Sequence, residues 1–198
     1  LSQLQMKPVV LPDVISNLGH VHYKGDVRGR LEHLYLHGLF STALGAVNIT
    51  GDLKSDTTLQ DFDFCGHVST MNFQLGKMLN NSDLGAVKFH AHMDIEVDSM
   101  AFRQCKADMK IDQIEYRGYT YEDIQFDGEV TTEQMNGYLN IQDENVQLTM
   151  EGLADWSKKD TRLDITAHLE DLRPEAIHLT EEYPEMAISA TAYVNLYT

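Results

Sequence analysis

The chain has 198 residues, with 31 Asp and Glu against 15 Lys and Arg, a formal net charge of −16. That length suits one domain, and that charge repels phosphate backbones and anionic membrane surfaces, which excludes nucleic acid as a partner. No apolar run approaches the roughly 20 residues of a membrane-spanning helix, and the two cysteines, Cys65 and Cys105, show no spacing of a structural zinc site.

Period-two alternation begins at Val21, Tyr23, Gly25 and Val27, set against His22, Lys24 and Asp26. It continues through Leu34–Phe40, Val47–Leu53, Phe62–Val68 and Val87–Val97. The run Cys105, Ala107, Met109, Ile111 slips phase near Gln113 to Ile114 and Tyr116, which marks a β-bulge. Further runs follow over Ile124–Val130, Met135–Ile141, Val146–Trp156, Leu163–Leu169 and Ile188–Leu196. The pattern predicts about ten or eleven consecutive strands, joined by short polar turns and paired up-and-down. Two stretches break it. Leu75, Met78 and Leu79 have helical spacing, predicting a helical turn inserted near 72–82, and Leu172, Ala176 and Leu179 predict a second near 171–182.

The tetrapeptide LGAV occurs at Leu44–Val47 and again at Leu84–Val87, each time downstream of a Gly-x-x-Ser-Thr starting at Gly38 or Gly66. One residue separates Thr42 from the first copy, and thirteen separate Thr70 from the second. The pattern reads as one hairpin used twice, the second time with twelve extra residues at its tip. Those residues include the helical turn near 72–82, which is apolar enough to fold over the sheet rim or groove mouth.

Seven of the thirteen glycines, Gly25, Gly38, Gly51, Gly66, Gly128, Gly137 and Gly152, fall inside strands and in the apolar phase. A mid-strand glycine weakens a strand, so bending or the close approach of another body to that face is expected. We read a long sheet curved around its apolar face. A second sheet, barrel closure or a ligand in an open groove could each cover that face.

Candidate chemistry is sparse. His20-x-His22 and His90-x-His92 each put two imidazoles on one strand face, but nothing fixes a third metal ligand, and a solvated outer face accounts for them. Strand carboxylates fall almost entirely in the polar phase, which gives no buried acid for catalysis. Tyr116, Tyr119 and Tyr121 form either a sugar-stacking platform or strand-end packing, and the second fits better. Cys65 and Cys105 lie in opposite phases, so two free thiols are expected. We assign no catalytic residue, no metal and no cofactor.

The run Gly66–Asn81 has the pattern G-x-x-x-T-x-x-F-x-L-G-K-x-L-x-N; Tyr116–Tyr121 reads Y-x-G-Y-x-Y; Asp143–Leu148 reads D-x-N-V-x-L and leads to a D-W-S ending. With these elements most of the chain closely resembles the TamB-like translocation and assembly module family, of AsmA-like architecture, in its Bacteroides type. The resemblance implies a non-enzymatic, periplasmic segment of a protein anchored in the inner membrane by an N-terminal helix outside this sequence. It implies a role in outer-membrane biogenesis: phospholipid transport, or assembly of outer-membrane β-barrel proteins with a BamA/TamA-like partner.

The combined expectation is an all-β fold over residues 1–198: a long, curved, mostly antiparallel up-and-down sheet forming an open, taco-like apolar groove. Its lining is expected from Val47, Ile49, Phe62, Phe64, Val87, Phe89, Met93, Ile95, Phe126, Leu139, Ile141, Leu148, Met150 and Ile165, against phospholipid or another acyl-chain ligand. The competing expectation is a compact β-sandwich that binds glycan or protein.

Overall fold

An alternating run exposes its polar side chains on one side and leaves its apolar side chains to find cover on the other, which only an extended strand allows. A computed structural model describes residues 17–30, 32–56, 60–99, 101–157, 161–180 and 187–197. Eleven strands form: β1 His22–Arg30, β2 His33–Thr42, β3 Gly45–Ser55, β4 Phe62–Gln74, β5 Leu84–Asp98, β6 Ala101–Tyr116, β7 Tyr119–Thr131, β8 Gln134–Asp143, β9 Val146–Asp155, β10 Arg162–Leu172 and β11 Ile188–Tyr197. One helical turn, α1 (Leu75–Leu79), lies between β4 and β5.

The strands build one sheet in simple sequence order, every neighbour antiparallel, and β1 does not pair with β11. The expected up-and-down sheet is therefore what forms. With one open sheet among the described residues, neither a sandwich nor a closed barrel covers the apolar face. No helix among those residues is long and apolar enough to cross a membrane.

The register keeps each phase on one side across all the strands. Gly51, Gly66, Met93, Ala107, Gly128, Gly137, Gly152 and Ile165 stand in one continuous cross-strand row. The phase slip of β6 is a bulge at Asp112: Lys88 faces Gln113 while the next residue, Phe89, faces Ile111. The extra residue reaches back, and its carboxylate lies 3.5 Å from the Lys88 Nζ.

The register also explains the glycines. They meet as cross-strand pairs, Gly25 with Gly38, Gly51 with Gly66 and Gly128 with Gly137. Each pair lies under an aromatic ring two residues before a glycine: Tyr23, Phe64 and Phe126. A Cβ on Gly38 would stand 2.7 Å from the Tyr23 ring, on Gly66 3.0 Å from Phe64, and on Gly128 2.7 Å from Phe126. The body approaching that face is thus the strand's own ring, which restores apolar contact where glycine supplies none.

Both LGAV copies open a strand at the same end of the sheet. The first follows a two-residue turn, with Thr42 facing Gly45. In the second hairpin β4 passes through a bulge between Thr70 and Phe73 and then enters α1, which ends at Asn80 in the left-handed conformation (φ 53°). The two copies meet: Leu44 of the first packs with Phe73 and with Val87 of the second, at 8 %, 6 % and 4 % exposure. The Gln74 N–H donates to the Leu44 carbonyl at 2.8 Å.

The helical turn expected near 171–182 does not form a helix over its described part. Residues 173–179 make an irregular turn, with Ile177 N–H donating to Arg173 at 3.3 Å, Leu179 N–H to Pro174 at 2.8 Å, and His178 at φ 60°. His178 leaves the right-handed helical region, so the coil cannot propagate past it. Ile177, 3 % exposed, anchors the turn instead. Residues 181–186 of that expectation lie outside the described residues.

Candidate apolar binding site

No described side chain is less than 2 % exposed, so the apolar face has no sealed core. Where the face runs under α1 it encloses a cavity of about 490 Å3 whose wall presents only apolar atoms. Strands β2–β6 supply its floor through Phe40, Val47, Ile49, Val68, Phe89 and Met109, among others. Phe73, at the end of β4 and paired with Val87, extends that floor, and Leu75 and Met78 of α1 form a roof with Leu18. The Asn17 side chain ties that roof down by donating to the Met78 carbonyl at 2.9 Å. Thr42 lies in the wall, yet its hydroxyl is turned to the backbone: it donates to the Gly45 carbonyl at 2.8 Å and accepts the Leu44 N–H at 3.0 Å. Thr70, also in the apolar phase and 3 % exposed, donates to the Ala46 carbonyl at 2.7 Å. The polar atoms of this region are thus spent internally, as burial demands.

Of the fourteen residues expected to line a groove, Val47, Ile49, Val87 and Phe89 are in this cavity's wall. Phe126, Leu139, Met150 and Ile165 line a separate hollow of about 100 Å3 on β7–β10. Phe62, Phe64, Met93, Ile95, Ile141 and Leu148 share the face by register but line neither. The sequence reading missed Leu18, Phe73, Leu75 and Met78 as wall residues. The helical spacing of Leu75 and Met78 within an apolar insertion was the available signal.

A larger hollow, about 850 Å3, is on the opposite, polar face. Asp94, Asp108, Asp127, Glu129, Glu151 and Asp164 line it, with His92 and Lys106. The backbones of Gly128, Gly137 and Gly152 reach it as well. The glycine row therefore lies beneath hollows on both sides of the sheet, not on the apolar side alone.

His67 and His92 face each other with ring centroids 4.9 Å apart, and the Cys65 Sγ stands 3.9 Å from His92 Nε2. No group of three or more His, Cys, Asp or Glu among the described residues is arranged to hold a metal ion. Both cysteines are free thiols; burial, then the Asp94 charge, pushes the Cys105 thiol above its ordinary range. His20 precedes β1 and stays exposed.

The tyrosines are strand-end packing. The Tyr119 hydroxyl donates to the Asp143 carboxylate at 2.6 Å and accepts from the Asn145 side chain at 3.0 Å. The Glu122 and Asn145 N–H groups donate to the same carboxylate at 3.0 and 2.8 Å. Asp143, 4 % exposed, is a buried carboxylate that the phase argument did not find, because it stands at the last residue of β8, where alternation stops being informative. Burial and the neighbouring Asp143 push the Tyr119 phenol up to about 12. Tyr121 meets Tyr119 edge-on at 4.8 Å, and the Arg117 guanidinium lies 5.4 Å over Tyr116, so no flat tyrosine platform is offered to a sugar. The Y-x-G-Y-x-Y and D-x-N-V-x-L motifs are thus two halves of one structural network.

Compared with known proteins, the chain matches no family model, no curated protein and no solved structure.

Proposed function

We propose that this chain is a non-enzymatic segment of a TamB-like, AsmA-like protein that works in the periplasm in outer-membrane biogenesis and offers its apolar face to the acyl chains of phospholipid. The observation that carries the proposal is the cavity of about 490 Å3 under α1, with a wholly apolar wall and one sheet as its floor. A polar substrate finds no hydrogen-bond partner there, whereas each methylene moved out of water contributes about 0.8 kcal/mol. The same face suits the apolar side of an outer-membrane β-strand, which is the second task the family resemblance suggests, with a BamA/TamA-like partner acting on the longer protein.

Titration with a fluorescent long-chain fatty acid tests the proposal. Saturable binding is expected, displaced by lysophospholipid. Met78→Glu places a charge in the roof and should weaken binding by about tenfold or more, since an unpaired charge in an apolar wall is costly. Asn136→Glu, on the opposite face, should leave it unchanged. A chain that binds no acyl probe, or binds it equally well with Met78→Glu, overturns the proposal.

A further inference from the structure

The height of the roof over the cavity is set largely by backbone. α1 is held at its start, in its middle and towards its end. At its start the Gln74 N–H donates to the Leu44 carbonyl at 2.8 Å. In its middle Gly76, which is buried, lies directly on the beginning of β5, where a Cβ would collide with the Leu84 carbonyl oxygen. Glycine is thus required there for a close approach. Towards its end the Met78 carbonyl accepts the Asn17 side chain at 2.9 Å. Leu18, Leu75 and Met78 are therefore fixed at one distance above the sheet, and the space between has a fixed size.

We infer that this cavity measures its ligand, taking one acyl chain of about 16 carbons and no second chain beside it. Volume and span agree on that length. A methylene is close in size to a water molecule, whose share of volume is about 30 Å3, so the cavity of about 490 Å3 holds roughly 16 of them. The floor crosses strands β2–β6, whose spacing of about 4.8 Å gives a span of about 19 Å. One chain of a membrane leaflet spans about 15 Å, half of the hydrocarbon thickness. Two such chains need about twice the volume that the roof leaves.

The wall offers no polar atom, so the carboxylate or ester end of the ligand stays outside and only the hydrocarbon enters. The hollow over β7–β10, of about 100 Å3, has no such roof and sets no length. The inference rests on the proposed acyl-binding role and adds to it the number and length of the chains held.

Isothermal titration of the 198-residue chain with saturated fatty acids shorter and longer than about 16 carbons tests it. One chain per protein is expected. Affinity should rise by up to about fourfold per added methylene as far as about 16 carbons and stay level beyond. Met78→Ala removes the thioether from the roof and should move the plateau up by about two carbons. Val68→Phe fills part of the floor and should move it down by about as much. Gly76→Ala must lift α1 from β5 and should remove the plateau. Because that variant can also loosen the fold, the length series of the unmutated chain decides. Affinity that climbs steadily through the longest chains, or two chains bound per protein, overturns the inference and leaves the proposed function standing. Absence of binding at every length overturns both.

Discussion

The apolar face is one continuous surface, yet its two halves are finished differently. Over β2–β6, the insertion between β4 and β5 folds back as a roof, and Leu44, Phe73 and Val87 fall to 8 %, 6 % and 4 % exposure around the cavity. Over β7–β10, Phe126, Leu139, Met150 and Ile165 stay half-buried around a hollow of only about 100 Å3. The residues of both halves follow the same alternation and share the same register rows. The difference comes from what lies outside the alternation. Twelve added residues in one hairpin supply a cover, while the turn at 173–179 packs against strand ends and leaves the face itself open. A single sheet cannot bury its own apolar face, and each large side chain left uncovered forgoes about 1.5–3 kcal/mol.

The contrast is sharpest at Phe73, the centre of the roofed half. Phe73→Ala should cost about 3–5 kcal/mol in urea unfolding, because it removes a buried ring and leaves a void between the LGAV copies. A cost near 1 kcal/mol would mean that the roof is not packed. The next largest effect belongs to the strand-end network. Asp143→Asn should cost about 2 kcal/mol, because three donors lose their charged acceptor. The same network predicts an alkaline transition. Tyr119 titrates higher in the folded chain, up to about 12 against an ordinary value of 10.0. Its contribution to stability is therefore complete below about pH 10 and is lost as pH rises towards 12. Tyr119→Phe should remove that portion of the alkaline loss, as read from chemical melts on both sides of the window.

A smaller contrast lies between two individual glycines. An alanine Cβ at Gly51 would meet the Cys65 carbonyl oxygen at 2.5 Å and the Gly66 Cα at 2.7 Å, both backbone atoms that cannot step aside. At Gly137 the nearest atoms stand at 3.0–3.3 Å. Gly51→Ala should cost about 1–3 kcal/mol and Gly137→Ala under about 1 kcal/mol, a difference that thermal melts resolve. Equal costs would mean that the closeness of these backbone atoms does not set the cost at either site.

Strand identity, order and face were legible because period-two alternation depends on single residues and survives without tertiary knowledge. The bulge at Asp112 was legible for the same reason, since a slip of phase must be absorbed locally. The mid-strand glycines were visible but their cause was not. Tyr23-x-Gly25, Phe64-x-Gly66 and Phe126-x-Gly128 share a spacing, yet their cross-strand glycine partners emerge only from the register. The roof was half legible. Leu75 and Met78 announced a helical turn, but that they would close a cavity with Leu18 depends on three-dimensional placement. The stretch 171–182 misled because its apolar spacing matched a helix for barely two turns. The left-handed backbone at His178 and the packing of Ile177 decided the outcome.

The smallest expected effect tests whether the second half is open at all. Ile165 sits beside Gly152 and lines the hollow over β7–β10, half-buried and without a roof. Ile165→Ala removes apolar contact but creates no closed void, because solvent already reaches the site, so the cavity contribution that raises core substitutions to 2–5 kcal/mol is absent. The expected cost is about 1 kcal/mol by urea unfolding. Val87→Ala, in the roofed half, removes fewer carbons and should nonetheless cost more, because its void cannot fill. If Ile165→Ala costs the more of the two, some cover closes over β7–β10 in solution and the contrast between the halves fails. If the order holds, side-chain size does not set the cost on this face; what matters is whether a second segment of chain lies above it.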